Sequence, residues 1–298
     1  ERKSLRAGIR NMKVSKKQIY HLGAKTAPKS TFSDANNNRP ASFFEALFNK
    51  LFQKASAIAP KHGFSFANRL YSLDATIVDL NKTNFPWAFF RKNKSGIKLH
   101  TLLDHNGYLP SVVRITDAKT HDVQKARTLH LEKGAIVVFD RAYIDYDWFV
   151  QLQENEVTFV TRLKTNAKYT VTKRYSGNKE QGVTSDQAIR FDSKPDLALR
   201  RIGYKDPETG KHYKFLTNNF SLEAKTIADI YRERWEVEVF FRWIKQNLKI
   251  KTFVGRSENA VLMQIYVALI LYLLLALLKF MSKTRLSMQQ MLQILQLN

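Results

Sequence analysis

The chain of 298 residues contains no cysteine. Disulfide staples and thiolate zinc centres are thereby excluded, and the lack fits a reducing cytosol. The seven histidines do not stand in for it, since none falls in a paired metal-ligand spacing. Acidic residues are also scarce: 26 Asp and Glu face 49 Lys and Arg, for a net charge of +23. That excess calls for a polyanionic partner, most simply nucleic acid. A membrane surface would need an amphipathic basic helix or a lipid anchor, and the sequence shows neither. No signal peptide is visible, and a cytoplasmic location is expected. A spanning run is missing too. Within the apolar segment Val261–Phe280, Gln264 and Lys279 bracket Ile265–Leu278, which falls short of the about 20 residues a bilayer needs. A buried core helix is expected there, with Leu271 and Leu274 among its packed residues. The first residue is Glu1 rather than Met, so the native N-terminus is expected to be absent.

What is present begins with a core. Hydrophobic residues make up 44% of the chain and charged residues 25%, enough for one large domain or two modest ones. Residues 1–60 read as a basic helical region, with short helices at Leu5–Met12 and Lys16–Leu22. Three short helices there can form a helix-turn-helix, but a basic arm touching phosphates without sequence preference is the simpler reading. Ser42 and Glu45 suggest a capping box before an amphipathic helix that ends near Pro60. In residues 61–164, Arg69–Leu80 reads as a strand. It carries Asp74 inside it and a competitor, Asp79, near the following loop. A carboxylate within such a strand is costly to bury without a partner or a metal. The aromatic and basic loop 84–96, with Phe85, Trp87, Phe89, Phe90, Arg91, Lys92 and Lys94, suits nucleic acid and plain packing equally. Ile97–Leu103 and Leu109–Ile115 read as a hairpin across Asn106-Gly107. His121 is read as capping a helix start rather than as catalytic. Ala135–Phe139 is a continuous apolar run, so a buried strand, and Asp140 stands at its tip. Ligands gather at such tips in open α/β sheets. Asp145 and Asp147 read as loop or cap residues. Thr158–Arg162 is one more strand. Residues 165–216 read as a β-rich insertion, 217–256 as a helical region, and 257–298 as a C-terminal helical region in which Ser257 or Asn259 caps the long apolar helix.

The densest pattern lies at Tyr231–Lys245. No Pro or Gly interrupts 225–248, so one continuous helix is expected. At about 100° per residue, Tyr231, Arg234, Glu238 and Lys245 fall within an arc of roughly 60°, and Arg242 lands on the same face. Beside them Ile230, Val237, Phe241, Ile244 and Leu248 form an apolar stripe. A surface helix laced with ion pairs would explain this pattern, and so would a site that places a carboxylate among cations.

Tyr231, Arg234, Glu238 and Lys245 keep the spacing of the Tyr-Arg-Glu-Lys signature, and in this the chain resembles the insertion sequence 4 family of bacterial transposases. Leu73-Asp74-Ala75-Thr76 and Asp140-Arg141-Ala142-Tyr143 extend the resemblance, which covers about 69–280. It implies an α/β, ribonuclease H-like mixed sheet flanked by helices, with a β-rich insertion before the last catalytic helix. It implies that Asp74, Asp140 and Glu238 hold Mg²⁺, with Mn²⁺ as substitute, since carboxylate oxygens suit hard cations. The reaction implied is cleavage at transposon ends and strand transfer into target DNA. The partners are double-stranded DNA bearing terminal inverted repeats and a second copy in the DNA complex, with no membrane. Tyr231, Arg234 and Lys245 would hold phosphates. Arg242 joins them by helical geometry, and Arg141 and Arg256 are further DNA-binding candidates. Some relatives stack a flipped base on an aromatic residue of the insertion. No Trp lies in that segment here, leaving Tyr169, Tyr175 or Tyr204 for such a role.

Overall fold

The computed structural model of the chain describes residues 5–21, 23, 25–91, 94–247, 250 and 253–297. Of the residues discussed above, Glu1, Leu22, Lys92 and Leu248 lie outside them. Four helices come first: α1 (Leu5–Val14), α2 (Lys16–His21), α3 (Lys29–Asn38) and α4 (Ala41–Ile58). Strands β1 (Leu70–Leu80), β2 (Phe89–Arg91), β3 (Lys94–Asp104) and β4 (Leu109–Asp117) follow, then α5 (Asp122–Ala126), β5 (Ile136–Phe139), α6 (Tyr146–Glu154) and β6 (Thr158–Arg162). Next come β7 (Tyr169–Tyr175), β8 (Val183–Phe191), β9 (Lys194–Lys205) and β10 (His212–Thr217). Helices α7 (Ala224–Glu233), α8 (Trp235–Asn247), α9 (Glu258–Ser282) and α10 (Met288–Leu297) complete the chain.

All ten strands join one sheet in the order β2-β3-β1-β5-β6-β10-β9-β8-β7, with β4 also paired to β3. β1 runs antiparallel to β3 and parallel to β5, and β5 runs parallel to β6. Read from β4, the core order β4-β3-β1-β5-β6 is the ribonuclease H-like arrangement. The strands of the insertion extend this sheet: β10 pairs antiparallel with β6, and β9, β8 and β7 follow outward.

The apolar run Ile136–Phe139 is buried throughout because both faces of the sheet are covered. Val137 and Phe139 pack with Trp148, Phe149 and Leu152 of α6. Ile136 and Val138, one residue out of phase, pack with Ile227, Ile230 and Tyr231 of α7. A further cluster joins α4, α8 and α9 to the β3–β4 hairpin through Phe48, Leu99, Leu103, Val237, Phe241 and Leu273. The hairpin turns over residues 105–108, around Asn106-Gly107 as expected. Gly107 (φ +70°) and Tyr108 (φ +54°) are both left-handed. A Cβ at Gly107 would stand 2.6 Å from the Phe280 ring, so α9 leaves no room for a side chain there.

α9 is long and apolar enough by length and composition to cross a bilayer, yet it packs against α4 as a core helix. Ser257 caps it by accepting from the Ala260 N–H at 3.3 Å, while the Asn259 side chain holds the α3–α4 connection at Arg39 O, 2.7 Å. Leu273 and Leu275 are buried, whereas Leu274 is 40% exposed, contrary to expectation. An all-apolar helix carries no periodic mark of its inward face. Two caps also differ. α4 begins at Ala41 with Pro40 at the N-cap and no side-chain cap bond, so Ser42 and Glu45 form no capping box. His121 occupies the N-cap position of α5 but makes no cap bond. Asp145 does cap α6, accepting from the Trp148 N–H at 2.9 Å.

The largest departure is at 225–248. The expected single helix is two, α7 and α8, parted at Arg234. The Arg234 N–H reaches to Tyr231 O (3.2 Å) and the Val237 N–H to Arg234 O (3.4 Å), so the chain tightens to three-residue bonds there. No local signal for this exists in the sequence. The neighbouring side chains are instead drawn to partners elsewhere in the fold.

Candidate active site

β1 and β5 are adjacent and parallel, and their register ends with Leu73 opposite Phe139. The next residue on each is a carboxylate, so Asp74 and Asp140 emerge side by side on strands about 4.8 Å apart. Asp74 accepts from the Ala75 N–H at 2.8 Å, and Asp140 from the Ala142 N–H at 3.1 Å. Asp79, an odd number of positions further along β1, points to the other face and is exposed.

Arg234, at the break between α7 and α8, bridges two of the three carboxylates. It donates from one guanidinium nitrogen to Asp74 at 3.3 Å and from another to Glu238 at 2.7 Å. Its side chain is only 13% exposed, so little of it is left for an outside anion. Burial pushes the Asp74 carboxyl up to about 6. The charges of Glu238 and Asp140 add to that push, while the Ala75 N–H and Arg234 oppose it. Among the described residues, no three of His, Asp and Glu stand close enough to chelate one ion as they are. The donor set nevertheless suits a divalent cation. Two of the three carboxylates share one guanidinium with Asp140 beside them, and Asp74, raised mainly by burial, stands in a concentration of negative charge.

The other predicted residues lie as follows. Lys245 donates to Thr76 Oγ1 (2.5 Å) and Ile77 O (2.9 Å), along the same strand as Asp74. Tyr231 is buried against Phe215, with the Arg234 guanidinium 5.8 Å from its ring centre. Arg242 is exposed and lies over Trp235 at 5.8 Å. Arg141 and Arg256 are exposed, and the Arg256 carbonyl accepts from Trp87 Nε1 at 2.8 Å. Phe85 of that aromatic loop is core, whereas Trp87 and Phe89 are partly exposed. Tyr204 is buried, which leaves Tyr175 as the exposed tyrosine of the insertion. Beside Arg234, a cavity of about 280 Å³ opens between α7 and the insertion, lined by Arg162, Tyr213, Tyr231, Arg232 and Trp235 among others.

One residue near the cluster escaped sequence reasoning. The Tyr143 hydroxyl is buried without a hydrogen-bond partner, and its ionisation is pushed upward by burial and by Asp74, Asp122 and Asp140. Its place three residues after Asp140 was the available signal.

A mixed sheet with two strand carboxylates, a helical third and an arginine between two of them offers the oxygen donors that suit metal-assisted phosphoryl transfer. Residues 66–274 match the family described as a Transposase DDE domain. A Sinorhizobium fredii protein carrying the transposase name y4zB is 35% identical over 82% of this chain and 69% of its own length. A Geobacillus stearothermophilus protein named as a transposase for insertion sequence element IS5377 is 31% identical over 83% of this chain and 66% of its own. One from Synechocystis, named for insertion sequence element IS4SA, is 27% identical over 93% and 79%. Among solved structures, the piggyBac transposase synaptic complex with hairpin DNA gives a TM-score of 0.48 at 12% identity, over 76% of this chain and about half (51%) of that one. The chain belongs to the DDE-domain transposase family of insertion sequences, enzymes that cleave DNA and transfer its strands.

Proposed function

We propose that this transposase cuts the ends of its insertion sequence at the Asp74–Asp140–Glu238 cluster and joins the freed 3′ ends to target DNA. The observation that carries this is Arg234 bridging Asp74 and Glu238, with Asp140 emerging beside Asp74. Asp74, Asp140 and Glu238 would hold Mg²⁺, or Mn²⁺ in its place. Bound there, such an ion supplies Lewis acidity at phosphorus and a more acidic water or 3′-hydroxyl for in-line attack.

The chain's own residues do the rest. Arg234 offsets the carboxylates' repulsion and keeps Glu238 turned toward β1. Lys245, moored on Thr76 and Ile77, sets a positive charge along the path of a bound backbone. Arg141, Arg242 and Arg256 are exposed and can grip phosphates bidentately. Tyr231 walls the cationic cavity beside the cluster. Residues 1–60 add basic helices for phosphate contacts along the duplex. The remaining regions are the split catalytic domain, the insertion at 165–216, the catalytic helix region at 217–256 and the helices at 257–298. The terminal repeats are the DNA partner, two copies would pair in the DNA complex, and the work is done in the bacterial cytoplasm.

The test is incubation of the purified protein with labelled DNA from the flanks of its gene, with and without Mg²⁺. Cleaved and joined products that need the cation are expected. Cleavage without joining would favour a nuclease or resolvase. Binding without either would favour a domesticated DNA-binding protein.

A further inference from the structure

One face of β1 clamps the helix pair at three successive rungs. Asp74 meets Arg234, and Thr76 meets Lys245. The third rung, at Ser72, belongs to neither chemistry nor DNA grip. Ser72 is fully buried, and its hydroxyl lies 2.7 Å from Nε2 of His105, itself 1% exposed. The other ring nitrogen of His105 lies 3.7 Å from Glu233 Oε2. The Ser72 hydroxyl also stands 3.5 Å from the Glu233 carbonyl, and Tyr108 donates to Glu233 Oε2 at 3.3 Å. Glu233 is the last residue of α7, immediately before Arg234. Three elements, β1, the β3–β4 turn and the end of α7, are thus joined by polar groups at the place where the helix breaks.

Burying an imidazole and a hydroxyl is costly unless they are paired; Ser72 and His105 pair with each other, and the partly exposed Glu233 carboxylate lies beside the otherwise unbonded His105 Nδ1. An uninterrupted α7–α8 helix would not require them. Their position explains the break: Glu233 is tied back toward Ser72, so Arg234 turns out of helical register and spans Asp74 and Glu238. We infer that Ser72, His105 and Glu233 are positioning residues that set the α7–α8 junction against β1 and hence the spacing of Asp74 and Glu238. The inference rests on the metal-site reading given above.

Ser72→Ala, His105→Asn and Glu233→Gln make the test, each compared with the parent for folded fraction, affinity for end DNA, cleavage rate and direct Mn²⁺ binding by electron paramagnetic resonance. Misplacing groups around a site costs about 10–100-fold in metal affinity or activity. Each variant is expected to show a loss of that size in cleavage rate or Mn²⁺ affinity, with DNA affinity and folded fraction kept. Ser72→Ala and Glu233→Gln should also combine less than additively, as members of one unit do. Parent-like Mn²⁺ affinity and cleavage per folded molecule in all three variants would overturn the inference. So would additive losses that merely track unfolding. Because Mn²⁺ binding is read apart from cleavage, a parent protein that binds Mn²⁺ but does not cut would count against the proposed function and leave this test standing.

Discussion

Two arginine–carboxylate clusters sit in the same sheet and are built to opposite ends. In the insertion, Arg200 of β9 faces Asp186 of β8 with two bonds, Nε to Oδ1 at 2.9 Å and a terminal nitrogen to Oδ2 at 2.7 Å. Its remaining nitrogen donates to the carbonyls of Leu222 (2.6 Å) and Asn219 (3.3 Å). One cation meets one anion, both buried, and the hydrogen-bonding groups are used. At the Asp74–Asp140–Glu238 cluster, Arg234 is stretched between two carboxylates with a third beside them, and its Nε is buried without a partner. A closed pair ties the insertion to the sheet and to the lead-in of α7. An open cluster leaves its carboxylate charge only partly offset.

That difference predicts separable losses. Asp74→Asn, Asp140→Asn or Glu238→Gln should abolish end cleavage while thermal unfolding without divalent ions changes little, because each removes repulsion as well as a bond. Arg200→Met should do the reverse. It leaves Asp186 buried and unpaired, at a cost of about 3–5 kcal/mol, with cleavage kept per folded molecule. If Arg200→Met left unfolding untouched, or Asp74→Asn cost as much stability as Arg200→Met, the contrast between the clusters would fail.

A smaller effect separates two neighbours on α9. Leu273→Ala should destabilise by about 2–5 kcal/mol, and Leu274→Ala, at 40% exposure, by clearly less. Equal values in denaturant titrations would mean that the exposed face of α9 is covered in solution.

The smallest expected effect concerns a third buried polar group, held neither closed nor open but neutral. Burial pushes the His100 imidazole down to about 4, against the pull of Asp122 and with Lys98, Lys125 and Arg114 adding to the push. A histidine whose folded value lies below its unfolded value of about 6.5 favours the unfolded chain once protonated. Its stability contribution is therefore complete above about pH 6.5 and is lost as pH falls from there toward 4. His100→Gln should flatten this acid limb by on the order of 1–3 kcal/mol. Unfolding compared at pH 7 and pH 5 measures it, and an unchanged slope would show that His100 takes up its proton alike in the folded and unfolded chain.

Much of this architecture could be read without coordinates, and the failures have a common cause. Asp140 was legible because an unbroken apolar run ends on it, and burial on both faces leaves such a run no polar position except its tip. Glu238 was legible from fixed spacing to Tyr231, Arg234 and Lys245. The same spacing misled about the helix, since it supposes an even 100° per residue through Arg234, where the chain tightens. Leu274 misled because every residue around it is apolar. Arg200 and Asp186 were passed over because nothing in either strand marks the register that sets them diagonally across from each other.

Composition and local pattern alone settled the +23 charge and its call for a polyanion, the strands that carry Asp74 and Asp140, and the order in which the three carboxylates occur. Those properties are additive along the chain or depend on neighbours within a turn or two. Tertiary structure decided the rest: the register placing Asp74 beside Asp140, the two carboxylates that share Arg234, the break at it, and the burial of Ser72 and His105 beside Glu233. Each depends on which distant element covers a given face. Periodicity can show that a face exists, but what lies against it is chosen by the packing of the whole chain.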